Sequence, residues 1–145
     1  DGFWANGMGA EVAVTRGAGT MVIDARRGDG PESAFNFTMP ALITSQKMID
    51  DSPDACAAAV RALVKTQKAL REDVTLATEV GKKRFPETEA GLIAQVVERD
   101  LPFYTAAITE DFVSGMNKFQ KDVGLVTGDF AYEEVVATQF MSEWE

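Results

Sequence analysis

The residues best suited to holding a small molecule come at the start of the chain, where Phe3, Trp4, Asn6, Gly7 and Gly9 follow one another closely. Two aromatics and an amide precede a helix whose first turn carries two glycines. Free backbone N–H groups at a helix start attract anions, and glycine lets a ligand approach the backbone closely. Trp4 can supply an aromatic wall, and Asn6 both a donor and an acceptor. The same residues serve equally well as core aromatics, with the glycines relieving crowding, and residue types alone leave both readings open. Gly7 and Gly9 also copy half of a dinucleotide fingerprint, but Val12 stands where its third glycine belongs, which argues against a nucleotide site.

A second group is Asn36 and Thr38, which alternate with Phe35 and Phe37. On a strand that alternation points the two polar residues into a cleft and packs the aromatics behind them. An ordinary half-exposed strand shows the same pattern. A third group, Asp24, Arg26, Arg27 and Asp29, surrounds an expected strand end. An arginine there can hold an acid group by a two-pronged contact, although a solvated loop with local ion pairs is the simpler account. Arg26 and Arg27 therefore count only as supporting contacts.

The remaining chemistry is sparse. The carboxylate pairs Asp50/Asp51, Glu110/Asp111 and Glu133/Glu134 fall at helix starts or ends, where acids act as caps and dipole partners. None is spaced to share a metal with a second cluster, so no metal and no cofactor is expected. There is no serine elbow, CxxC pair or phosphate loop. The chain has no histidine, which removes the commonest general base and transition-metal ligand. Cys56, the single cysteine, sits among alanines on an apolar helix face and reads as a small buried hydrophobe with no base to activate it. Binding, not catalysis, is the expected role.

Composition bounds the rest. With 145 residues, 46% hydrophobic and 26% charged, the chain is one domain's worth of ordinary globular sequence. Its net charge of −9 argues against a nucleic-acid partner, since the one basic run, Lys82-Lys83-Arg84, is more simply a solvated helix end. No apolar run approaches membrane-spanning length.

These residues need elements to position them. The pattern predicts a helix over 8–15 closed by Gly17, a buried strand over 20–24, and a loop through Gly28, Asp29, Gly30 and Pro31. A second extended run over 35–44, bent at Pro40, turns through Thr44, Ser45 and Gln46. It leads into the best helix of the chain, with Ser52 as N-cap, Pro53 in the first position and Asp54 at the positive dipole end. The apolar stripe of that helix is Cys56, Ala59, Val60, Leu63, Val64 and Leu70. Further helices are expected over 74–84, over 88–101 with Leu92, Ile93, Val96 and Val97 inward, and from a Thr109 cap to a stop at Gly124. A short helix over 132–140 should face Val135 and Val136 inward. Two strands and five or six helices make an α/β pattern short of strands. The expectation is a piece of a larger fold, its strands pairing with a second copy or with a segment outside this sequence.

The blocks DGFWANGMGAEVAV, GTMVIDARRGDGP, FTMPALITS and DDSPDACAAAVRALVKTQKALRED, with RDLPFYTAAIT and DFVSGMNKFQKDVGLV, carry a resemblance. Together, over essentially the whole chain, they resemble the C-terminal half of ABC-transporter solute-binding proteins of the nitrate, sulfonate and taurine type, often called NMT1-like. That resemblance implies the C-terminal part of a two-lobed, type II periplasmic-binding-protein fold, helix-rich after its first two strands. Residues 1–34 would end the second lobe, 35–45 would cross back, and 46–145 would pack on the first lobe, whose own sheet lies in an N-terminal half absent here. Position by position, it implies cleft contacts at Phe3, Trp4 and Asn6, and near Asn36 and Thr38. Asn6 departs from the aromatic that sulfonate-binding relatives often carry, which argues against a sulfonate. The lack of histidine argues against the thiamine-precursor synthesis that some relatives perform. The implied role is periplasmic or cell-surface capture of a small polar or anionic organic solute for a membrane permease. An effector-binding domain of a transcriptional regulator is the alternative that shares the architecture.

Overall fold

A computed structural model of the protein describes residues 1–30 and 40–145. The chain is 64% helical, and no strand occurs among the described residues. Among the described residues seven α-helices follow one another: α1 (Gly7–Thr15), α2 (Gln46–Asp51), α3 (Pro53–Glu72), α4 (Thr75–Arg84), α5 (Glu87–Asp100), α6 (Glu110–Asp122) and α7 (Tyr132–Val135). Tight 3₁₀ turns lie at Ala25–Arg27, Leu101–Phe103 and Thr138–Glu143. The chain divides into two compact units, Asp1–Arg26 with Thr66–Tyr104, and Arg27–Lys65 with Thr105–Glu145.

In the first unit α5 is the central element, with α4 and α1 packed on it. The α4 contact is close because Gly81 has no side chain: a Cβ there would stand 3.1 Å from Ile93 Cγ2 and 3.4 Å from Ala90 Cα. Asp73 starts α4 in place of a side-chain cap on Val74, accepting from Thr75 N at 2.9 Å and Thr75 Oγ1 at 2.6 Å. Those two hydrogen bonds, side chain first, hold its carboxyl below the usual aspartate value. Phe85, extended before Pro86, ends the helix. Beyond α5, Arg71 donates to the carbonyl of Leu101 at 3.3 Å, which also accepts from Tyr104 N at 3.1 Å, and to the carbonyl of Tyr104 at 2.7 Å.

The second unit contains α2, the first part of α3, α6, α7 and the C-terminal 3₁₀ turn. Ser45 starts α2 by accepting from Met48 N at 3.2 Å. Cys56 and Val64 are buried on α3, while Val136 and Phe140 are buried near the C-terminus. Thr109 caps α6 by accepting from Phe112 N at 3.3 Å, and Gly124, at φ 74°, takes the left-handed position after its end. Asn117 is buried on α6 and clamps the returning chain: Nδ2 donates to Phe130 O at 2.8 Å, and Oδ1 accepts from Phe130 N at 3.1 Å. Tyr132 Oη donates to Ile108 O at 2.5 Å, and Arg61 pairs with Glu143 at 3.0 Å.

The expected α/β architecture is therefore corrected. The 20–24 run has no regular structure, and its exposure is the reverse of a buried strand: Val22 is 86% and Ile23 63% exposed, whereas Asp24 is buried. β-branched residues form a strand only where a partner strand supplies hydrogen bonds and covers a face, and no such partner occurs among the described residues. Of the expected crossing strand over 35–45, positions 35–39 lie outside the described residues, and 40–45 has no regular structure. The sheet-based two-lobed fold loses its core on the same ground. The helices fare better, and α1, α3, α4, α5 and α6 start or end within a residue or two of their expected bounds. The expected 132–140 helix breaks into α7 and a 3₁₀ turn, with Val136 buried but Val135 54% exposed.

Candidate functional site

Three of the expected site residues stand together at the start of α1. Asn6 is extended at φ −68° and ψ 170°, the backbone of an N-cap, and its Oδ1 accepts from Gly9 N at 3.1 Å while its carbonyl accepts from Ala10 N at 3.1 Å. The cap uses the acceptor that the sequence suggested for a ligand. What remains is the Asn6 amino group and the amides of Gly7 and Met8, which have no protein partner among the described residues. All three are donors, so the helix start suits an anionic or carbonyl oxygen.

The two aromatics before the cap stand outside any core. Trp4 is 89% and Phe3 67% exposed. The Phe3 ring edge lies near Gly19, 3.8 Å from where a Cβ there would stand. This disposes of the reading in which both rings are core residues. It does not by itself make a cleft, and two depressions elsewhere among the described residues do not touch these rings. One, about 440 Å³, is lined by residues 124–130; the other, about 410 Å³, lies at the α4–α5 turn beside Thr78, Lys82, Phe85 and Glu87. The start of α1 presents exposed aromatic rings and a set of donors.

The other expected contacts do not join it. Asn36 and Thr38 lie outside the described residues. Arg27 and Asp29 are exposed and engaged in interactions of their own. Asp24 is buried at 4% exposure and is also engaged. No group of three or more histidine, cysteine or acidic side chains close enough to hold a metal ion occurs among the described residues.

Sequence reasoning missed the charge cluster that holds α1 in place. Arg99 of α5 donates to Glu11 of α1 and, at 3.0 Å, to its neighbour Asp100. All three side chains are only 14–16% exposed. Burial alone would lower the guanidinium pKa, but hydrogen bonds to Asp100 and Glu11 outweigh it and hold Arg99 above its ordinary value. Arg99 Nη2 is buried with no hydrogen-bond partner among the described residues. Because Glu11 lies on α1 and Arg99 on the central helix of the unit, this pair ties the helix that Asn6 caps to α5. The signal was weak: eighty-eight positions separate the partners, and nothing local links them.

No protein-family model matches the chain, and no curated protein or solved structure is detectably similar to it.

Proposed function

We propose that this chain binds a small polar or anionic organic solute and serves an ABC import system, handing the ligand to a membrane permease from the periplasm or cell surface. The ordered sequence blocks that resemble such binding proteins support the assignment of class. The observation that carries the binding site is Trp4, 89% exposed immediately before the Asn6-capped start of α1. Leaving a large apolar side chain in water forgoes about 1.5–3 kcal/mol of burial, which a ligand stacked on the indole recovers. The amides of Gly7 and Met8 beside it match an oxygen-bearing headgroup. The proposal leans on this turn and not on a sheet-based cleft, and it invokes no covalent chemistry.

The test is a titration of the protein with sulfonates, carboxylates, pyrimidines and amines, followed by thermal shift and tryptophan fluorescence. Replacing Trp144 with phenylalanine leaves Trp4 as the only indole, since the chain has two tryptophans. A binder should change Trp4 emission and, at a hundredfold excess over its dissociation constant, add about 2.7 kcal/mol of stability. Trp4→Ala should abolish both responses without moving the unliganded melting point, because the ring supports little of the fold. Failure of every class to bind, or an unchanged thermal shift in Trp4→Ala, would overturn the assignment.

A further inference from the structure

We draw no further inference here: the strongest candidate, the exposed apolar patch of Val123, Leu125 and Phe130 beside the depression at the end of α6, carries nothing because nothing in the structure shows what covers it.

Discussion

Two glycines inside helices of the same unit should respond in opposite ways to the same substitution. Gly81 lies within α4 and Gly91 within α5. Alanine in a helix interior is favoured over glycine by about 0.8–1 kcal/mol, so propensity predicts a gain at both positions. At Gly91 a Cβ meets nothing within 4 Å, and Gly91→Ala should realise the full gain. At Gly81 the new carbon would stand 3.1 Å from Ile93 Cγ2, 3.4 Å from Ala90 Cα and 3.6 Å from Ala90 Cβ. Carbon atoms prefer separations of about 3.5–4.0 Å, so the Ile93 methyl must retreat or the helices must part by several tenths of an ångström. Overpacking of this kind costs about 1–3 kcal/mol, which cancels or exceeds the propensity gain. Gly81→Ala should therefore fall about 1–3 kcal/mol below Gly91→Ala. Urea unfolding followed by circular dichroism at 222 nm reads both. Ile93→Ala in the Gly81→Ala background removes the offending methyl, so the double mutant should lose less than the sum of the two single changes. A Gly81→Ala protein as stable as Gly91→Ala would refute the close helix crossing.

Other side chains give shorter tests. Asn117→Ala strips both partners from the Phe130 backbone and should cost about 1–3 kcal/mol, with the Phe130 amide losing its protection against hydrogen exchange. Arg99→Met takes the guanidinium away from the largely buried carboxylates of Glu11 and Asp100, and should destabilise the protein in urea unfolding by at most about 3–5 kcal/mol. Tyr132 is raised above the ordinary tyrosine value, chiefly by burial and then by Glu110 and Glu133. Its contribution is complete below the unfolded-state pKa of about 10 and is lost as pH climbs from there through the higher folded value. The stability of the wild type should fall over that window, and Tyr132→Phe should flatten the decline; an unaltered slope would contradict the assignment.

The parts of this fold that were legible are those whose cause is local. The Thr109 cap of α6, the Phe85-Pro86 stop of α4 and the left-handed Gly17 and Gly124 each follow from a residue and its immediate neighbours. α2 was legible too and was passed over: Ser45 caps it, and Gln46 and Lys47 reach Asp50 and Asp51 four residues on, the spacing of neighbours on one helix face. The expected strand over 20–24 failed for a complementary reason. A run such as Thr20–Asp24 expresses β propensity only against a partner, and that partner is a property of the whole chain, not of the run.

The candidate site divides along the same line. The two glycines of the first turn are local facts and stand where the sequence puts them, whereas Asn6, read from sequence as a ligand contact, spends its acceptor on capping the helix. The exposure of Trp4 is not local. An indole beside a helix start lies in a core or in solvent according to what else packs there, and composition and hydrophobic pattern are blind to that choice. Nor is the Arg99–Glu11 pair local, although it ties the helix that carries the donors of Gly7 and Met8 to α5. A binding surface needs both kinds of information. Capping chemistry supplies the donors and can be read from the chain, whereas the surface they face is set by contacts between residues far apart in it. The resemblance in sequence blocks spoke to the first kind alone, which is why it could nominate Trp4 and Asn6 while naming a sheet that the described residues do not form.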